Sequence, residues 1–157
     1  MKITFLVIGK TDEVYLREGI EKYLKRLKHY ITFQYVEIPD LKNTKHLNEA
    51  EQKSKEAELI LKQLKPTDQL ILLDENGEDF NSEDFANYLN KKMLASVQNL
   101  VFVVGGPYGF DQQVYAKAQG KISLSRMTFS HQMVRLFFAE QVYRAFTILK
   151  GEPYHHS

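Results

Sequence analysis

The sequence has no cysteine among its 157 residues. This absence excludes a disulfide scaffold and a thiolate metal site, and it suits a reducing compartment. Long hydrophobic runs are also missing, since none approaches the roughly 18 residues that cross a bilayer and no apolar signal region follows Met1. We therefore expect a soluble, cytoplasmic protein with no membrane partner.

Several motifs of nucleotide, hydrolase and metal chemistry are absent as well. There is no G-x-G-x-x-G after a strand pattern and no G-x-x-x-x-G-K-[ST], so the dinucleotide and nucleoside triphosphate fingerprints are missing. No G-x-S-x-G marks a hydrolase nucleophile. The histidines form neither H-x-x-x-H nor H-E-x-x-H, and we expect no zinc site.

Charge is nearly balanced, with a formal net value of +1, and 43% of the residues are hydrophobic. That content and the chain length predict one domain, residues 1–157, with a core of its own. A basic face is predicted on the first helix. An ordinary solvated surface explains it, and an RNA-facing patch is the alternative. Its cations are Lys22, Lys25, Arg26 and Lys28.

Strand-like and helix-like patterns alternate along the chain, which predicts an α/β three-layer sandwich with a mostly parallel sheet. Thr11 or Asp12 is expected to cap the first helix, Asn43 or Thr44 the second, and residues 74–77 are expected to form a turn. The predicted strands are 3–8, 31–38, 69–73, 100–104 and 121–124, and the predicted helices are 12–28, 45–64, 82–94, 111–117 and 133–149.

Three predicted strand ends carry unusual sequences, and ligands bind at the carboxyl ends of parallel strands. They are Leu73-Asp74, the glycine-rich segment 105–109, and the Ser-rich segment 123–128. Together they offer backbone groups, hydroxyls and apolar walls, which suit a flat, uncharged ring such as adenine. In this interpretation Gly105 provides positive φ and lets a ligand approach the backbone. Plain tight turns explain the glycines equally well.

The last predicted helix, 133–149, is apolar on nearly every side. Such a helix needs cover on more than one face, which favours a homodimer; a central core helix of a monomer is the alternative. Glu140 and Arg144 are spaced as a helical ion pair. Arg135 has no acid one turn away, so its partner is a tertiary contact, a surface acid, or a phosphate or carboxylate ligand.

The sequence after that helix ends in Tyr154 and His155, followed by a second histidine and a serine. A histidine exchanges protons near neutral pH, and aromatic rings stack on bases, so we predict that these two residues are catalytic. A cloning remnant is the alternative for the doubled histidine. We expect this segment, residues 154–157, to contribute little to the fold and to be able to reach a neighbouring subunit's pocket.

Five short motifs occur in one order along the chain. They are G-G-P-x-G at 105–109, S-L-S-x-M-T at 123–128, His131, A-E-Q-V-Y-R-A at 139–145 and G-x-P-Y-H at 151–155. In this order they resemble the ribosomal RNA large-subunit methyltransferase H family, whose members are small, knotted SPOUT-class enzymes. The resemblance extends from Met1 to the last residues.

The resemblance implies a C-terminal trefoil knot, an obligate homodimer and an S-adenosylmethionine pocket inside the knot, without a metal. It also implies methylation of N3 of a pseudouridine in 23S-type large-subunit rRNA, on the ribosome. The residues that it implies around the cofactor are Leu73, Gly105, Leu124, Ser125, Arg126, Met127, Thr128 and Phe129.

Physical chemistry suggests how such a reaction would proceed. Methyl transfer depends mainly on alignment of the acceptor with the methyl group, and a base helps because the N3 position is largely protonated. His155 is the predicted proton acceptor, and Tyr154 is predicted to stack on the base or orient the site. The alternative function is a non-catalytic dimeric α/β module that binds a nucleotide or a protein partner, but it gives Tyr154 and His155 no role.

Overall fold

Five parallel strands form one sheet in the computed structural model, which describes residues 1–156. The order across the sheet is β2-β1-β4-β3-β5, and every neighbouring pair is parallel. The predicted α/β fold with a mostly parallel sheet is confirmed. The strands are β1 (Lys2–Ile8), β2 (Thr32–Ile38), β3 (Gln69–Asp79), β4 (Asn99–Val104) and β5 (Gly120–Ser123).

Helices cover both faces of this sheet, because side chains alternate along each buried strand. Ile3, Phe5 and Val7 of β1 belong to one apolar core, and Leu6 and Ile8 belong to the other. The first core is closed by α1, α3 and α5, and the second by α2 and α4. The helices are α1 (Val14–Leu27), α2 (Glu49–Lys62), α3 (Ser82–Leu94), α4 (Gln112–Lys117) and α5 (Met133–Leu149).

Two predicted helix starts are wrong, and the capping contacts show why. The α2 helix begins at Glu49, because Asn48 Oδ1 accepts a hydrogen bond from Glu51 N at 2.8 Å and the Glu51 side chain completes a capping box. Residues Thr44–His46 form a separate 3₁₀ turn. The α1 helix has Glu13 as its N-cap residue, without a side-chain cap. Thr11 instead bonds Glu37 and Tyr35.

The turn predicted at residues 74–77 is also wrong, since β3 continues through it to Asp79. The register shifts between Leu73 and Glu78, so that both residues pair with Ile122 of β5. Gly77 permits this pairing, because a Cβ there would lie 2.6 Å from the backbone N and C atoms of Ile122. The long β3 brings residues 74–79 beside the Ser-rich segment after β5.

Arg135 of α5 forms hydrogen bonds with the backbone at the end of β1. Its side chain is 1% exposed, and its guanidinium donates to Ile8 O at 2.8 Å and Gly9 O at 2.9 Å. Further donations reach Thr11 Oγ1 and His131 O. The tertiary partner predicted for Arg135 is therefore confirmed, and Nη1 also lies 3.9 Å from Oε2 of the partly exposed Glu37. The phosphate interpretation is wrong, because the donors are used inside the protein.

Cover for α5 comes mostly from the same chain. The helix packs against α1, α3 and the sheet, and Phe138, Val142 and Phe146 lie in the core. Phe137 remains 39% exposed and packs against Phe129, with ring centroids 4.9 Å apart and the rings tilted by 37°. The exposed apolar surface that favours a dimer is therefore this aromatic pair rather than the whole of α5.

Candidate active site

A cavity of about 860 Å³ opens at the carboxyl ends of β4 and β5 and at the register shift that follows Leu73 within β3. The sheet order places these strands side by side, so the segments that follow them meet at one edge. Within the described chain, seven of the eight residues expected around a cofactor line this cavity. They are Leu73, Gly105, Leu124, Ser125, Met127, Thr128 and Phe129.

Arg126 is the one residue of the expected cofactor lining that does not line the cavity. Its side chain is 91% exposed, and Nε lies 3.3 Å from Asp79 Oδ2 on the outer part of β3. A surface ion pair of this kind contributes little to stability. The Arg126 side chain therefore points away from the cavity while its two neighbours in sequence line it.

The glycine-rich segment forms one wall of the cavity as a tight turn. Gly109 N donates to Gly106 O at 3.1 Å, and Gly109 has a φ of +80°. Positive φ is thus needed at Gly109 and not at Gly105, which corrects the prediction. Packing is tight at Gly105, because a Cβ there would lie 3.1 Å from Gly109 O and 3.2 Å from Phe110 Cε1, and these neighbours would have to shift by a few tenths of an ångström.

A tyrosine and an aspartate meet in the lining of the cavity. The Tyr115 hydroxyl, carried by α4, donates a short hydrogen bond to Asp74 Oδ2, and Asp74 Oδ1 accepts from Asn76 N at 2.8 Å. Burial, together with the bond to Asp74, raises the pKa of Tyr115 to about 12. Tyr115 was not predicted from the sequence as a site residue. The only signal was its place in the helix that follows the glycine turn.

Hydroxyl groups hold the Ser-rich segment in shape. Ser123 Oγ donates to Ser125 O at 2.9 Å, and Ser125 Oγ accepts from Met127 N at 2.9 Å. Thr128 Oγ1 reaches Glu75 Oε2 at 3.4 Å, and Ser130 Oγ accepts from Met133 N at 3.0 Å at the start of α5. These hydroxyls satisfy Ser125 O and Met127 N within the segment and leave the exposed Met127 side chain available to a ligand.

Tyr154 packs against its own helix α5. Its hydroxyl donates to Glu140 Oε1 at 3.0 Å and shares a 3.3 Å hydrogen bond with Tyr23 on α1. The ring meets Tyr143 edge-on at 4.7 Å, and the Arg144 guanidinium lies over it at 4.8 Å. Burial first, then the bonds to Tyr23 and Glu140, raise the pKa of Tyr154 and keep it neutral.

His155 has contacts at both ring nitrogens. Nδ1 lies 3.1 Å from Arg144 Nη1, and because a guanidinium only donates, Nδ1 is the acceptor and the ring proton is on Nε2. Nε2 lies 3.5 Å from Glu83 Oε1 on α3. Arg144 also pairs with Glu140 at 2.6 Å, which confirms the predicted helical ion pair and connects it to the end of the chain.

The structure does not bring Tyr154 and His155 to the cavity of the same chain. Val134, in the first turn of α5, borders the cavity. Tyr154 packs instead on Glu140 and His155 on Arg144, which lie about 9 and 15 Å from Val134 along the helix axis. The docking of residues 154–155 on α5 was not predicted, and their contacts with Glu140, Arg144 and Tyr23 differ from the small role in the fold expected from the sequence.

The basic face of α1 lies near Tyr154, because Arg26 contacts the ring of Tyr143, which packs against Tyr154. Arg26 lies 5.7 Å from the Tyr23 ring and 5.4 Å from the Tyr143 ring. Such cation–π contacts hold a guanidinium beside aromatic rings without removing its charge. Lys22, Lys25 and Lys28 are exposed. Positive charge therefore lies next to Tyr154 on the surface.

Comparison with known proteins identifies the family. A family model described as "Predicted SPOUT methyltransferase" matches residues 1–155. The chain belongs to the SPOUT methyltransferase family. Relatives from Flavobacterium johnsoniae and Parabacteroides distasonis are each 62% identical to this SPOUT methyltransferase over 156 residues, and one from Christiangramia forsetii is 59% identical. The alignments cover 99% of both chains, and all three are named "Ribosomal RNA large subunit methyltransferase H".

These matches confirm the resemblance drawn from the five motifs, and they do not favour the non-catalytic module. Within residues 1–156 the methyltransferase has no cluster of three or more His, Cys, Asp or Glu side chains arranged to hold a metal. None of the helices described in that range has the length and apolar character needed to cross a membrane.

Proposed function

We propose that the protein uses S-adenosylmethionine to methylate large-subunit ribosomal RNA, at N3 of a pseudouridine. The observation that carries this proposal is the match to relatives of that name, at 62% identity over 99% of both chains. We assign the activity to one domain, residues 1–157, with the family's C-terminal trefoil knot. We place the protein in the cytoplasm, with ribosomes.

The cavity at the strand ends fits the cofactor in size and chemistry. Its volume of about 860 Å³ suits a drug-sized ligand. It combines apolar side chains, backbone groups beside Gly105, and the Asp74 carboxylate, which can accept hydrogen bonds from ribose hydroxyls. Leu73, Gly105, Met127 and Phe129 would hold the adenosine part. When bound, the cofactor supplies an electrophilic methyl group on its sulfonium.

Tyr154 and His155 are proposed to act on the RNA base. Because they pack about 9 and 15 Å along α5 from the cavity of their own chain, we propose that they complete the cavity of a partner subunit. The exposed Phe129–Phe137 pair, with Phe129 lining the cavity, supports a homodimer contact close to it. A monomer would leave this aromatic pair in water.

His155 can accept the N3 proton only when its Nδ1 is free. In the structure that nitrogen accepts from Arg144, so proton transfer requires Arg144 to turn away, for example towards an RNA phosphate. Tyr154 remains a neutral donor and a stacking surface. The exposed lysines of α1 supply the positive charge that attracts the RNA backbone.

The test combines binding and transfer. Titration calorimetry with S-adenosylmethionine should show saturable binding, and ribosomes from cells lacking this gene should accept labelled methyl groups from it. Mass spectrometry of nuclease fragments should place the mark on a pseudouridine of the large-subunit RNA. Methylated small-subunit RNA or protein, with unmarked large-subunit RNA, would contradict the proposal.

A further inference from the structure

A second cavity, of about 240 Å³, lies behind the glycine turn. It is enclosed by the end of β1, the segment after β2 and the α2 helix, and it shares Gly106, Pro107 and His131 with the larger cavity. Glu49 and Lys53 of α2 border the larger cavity, whereas Gln52 and Glu56 border the smaller one. The two cavities therefore adjoin along one helix and one turn.

Glu56 is the unusual group in this cavity. Its residue is 5% exposed, and Oε1 has no hydrogen-bond partner among the residues that the structure describes. Oε2 has one weak contact, with Gln52 Nε2 at 3.4 Å. A buried carboxyl oxygen without a donor costs free energy, and burial raises the pKa of Glu56, with the charge of Asp40 acting in the same direction.

The glycine turn keeps this carboxyl group accessible. A Cβ on Gly106 would lie 2.7 Å from both carboxyl oxygens of Glu56, a distance that real Cβ atoms essentially never show. Any other residue at position 106 would displace the Glu56 side chain or fill the cavity. The orphaned oxygen and the open space beside it thus depend on the same glycine.

Charge indicates the class of ligand. Asp40 and Glu56 both line the cavity, and no lysine or arginine is among its lining residues. A metal is disfavoured, because no group of three or more His, Cys, Asp or Glu able to hold one occurs in residues 1–156. An ammonium group has three donors and no acceptor, which matches an acidic cavity with a free carboxyl oxygen.

We propose that the smaller cavity binds a protonated primary amine, whose ammonium group donates to Glu56 Oε1. The volume equals that of roughly eight water molecules, enough for a short aliphatic amine. The amine has two possible sources. One is the amino-acid end of the cofactor, reaching past Gly106, and this source rests on the proposed function. The other is a free aliphatic diamine.

Calorimetry with three probes separates these sources. S-adenosylhomocysteine carries the ammonium group, 5′-methylthioadenosine keeps the adenosine thioether but lacks it, and 1,4-diaminobutane is the free amine. Glu56→Gln removes the charge at almost constant shape, and Glu58→Gln makes the same change at an exposed position of α2. Melting temperatures confirm that both variants fold. If Glu56→Gln does not fold, Gly106→Ala replaces it, because its Cβ displaces the carboxyl group.

With the cofactor as the source, Glu56→Gln should weaken S-adenosylhomocysteine binding about tenfold or more, with 5′-methylthioadenosine binding and the Glu58→Gln control unchanged. With the free amine as the source, the same variant should lose diaminobutane binding and keep both adenosine ligands. Equal affinities of wild type and Glu56→Gln for all three probes would overturn the proposal. If neither adenosine ligand binds wild type, the proposed function fails, and the diaminobutane titration alone decides for or against the amine site.

Discussion

The absence of a Cβ atom at Gly105 lets the glycine turn pack closely in the cavity wall. A Cβ there would lie 3.1 Å from Gly109 O and 3.2 Å from Phe110 Cε1, so the turn must shift by a few tenths of an ångström to accept it. Overpacking of this kind typically costs about 1–3 kcal/mol. The same addition at Gly120, outside the cavity lining, meets only Ile71 Cδ1 at 3.5 Å, an ordinary contact.

We therefore expect Gly105→Ala to weaken S-adenosylmethionine binding by about tenfold, because the displaced turn changes the backbone edge that faces the ligand. Gly120→Ala is the matched control and should bind as wild type does. Calorimetry measures both affinities. Unchanged binding in Gly105→Ala would mean that this turn does not contact the cofactor.

Arg135 provides a second prediction at the residue scale. Arg135→Met keeps a flexible apolar stem but leaves the carbonyls of Ile8 and Gly9 without their donor. The free energy of unfolding in urea should fall by about 3 kcal/mol or more. Arg126→Met is the control, since that side chain is 91% exposed and its loss should cost no more than about 0.5 kcal/mol. Equal stability of the two variants would show that the buried guanidinium is replaceable.

At the scale of elements, the helix α5 and the segment after it behave as one unit. Gly151, with a φ of +68°, ends the helix and turns the chain back along it. Tyr154 and His155 then contact Tyr23 of α1 and Glu83 of α3, so the segment bridges all three helices of one layer. Its hydrogen bonds give it a structural role beside the proposed catalytic one.

Removal of residues 154–157 should therefore lower stability by about 1–3 kcal/mol, the range for a few lost hydrogen bonds and one aromatic contact. Cofactor binding to the cavity should survive, and methyl transfer to ribosomes should fall by about 10²-fold. Urea unfolding, calorimetry and the transfer assay measure the three effects.

His155→Ala separates the two roles, because it keeps the Tyr154 contacts. If His155 is the base, the residual rate should depend less on pH between about 6 and 8, the range in which histidine titrates. His156→Ala is the control at an exposed neighbour and should retain the wild-type rate and profile. Full activity of the truncated protein would remove Tyr154 and His155 from the mechanism.

At the scale of the whole molecule, the question is which surface a second copy covers. The core side of α5 is occupied by its own chain, and Phe146 packs against Tyr30 inside it. A charge at position 146 would therefore unfold the monomer and cannot report on assembly. Phe137, 39% exposed and packed against Phe129, is the apolar site that a partner can cover.

We expect the wild-type protein to sediment as a dimer at micromolar concentration and Phe137→Glu to sediment as a folded monomer, because an unpaired charge in an apolar interface costs several kcal/mol. Leu94→Glu changes an exposed apolar residue at the end of α3 and should remain dimeric. The monomer should also lose methyl transfer while keeping its circular dichroism spectrum. A wild-type monomer at that concentration would contradict the dimer and, with it, a shared active site.

The sequence by itself determined the number, type and approximate limits of the strands and helices, and the edge of the sheet at which the cavity lies. These features follow from local chemistry. The unbroken apolar run of β4 predicts a buried strand, and the alternating pattern with Pro39 places β2 at an edge. The five motifs, in their order, also identified the family before any contact was known.

Only the tertiary structure decided how the polar groups are used, because their partners lie far away in the chain. Arg135 bonds carbonyls 126 and 127 residues earlier, and Tyr154 bonds Tyr23 across 131 residues. The register of β3 against β5 turned an expected turn into a strand. Spacing along the sequence predicts which face a side chain occupies, but a hydrogen bond needs its second atom within about 3 Å, and that distance is set by the packing of the whole chain.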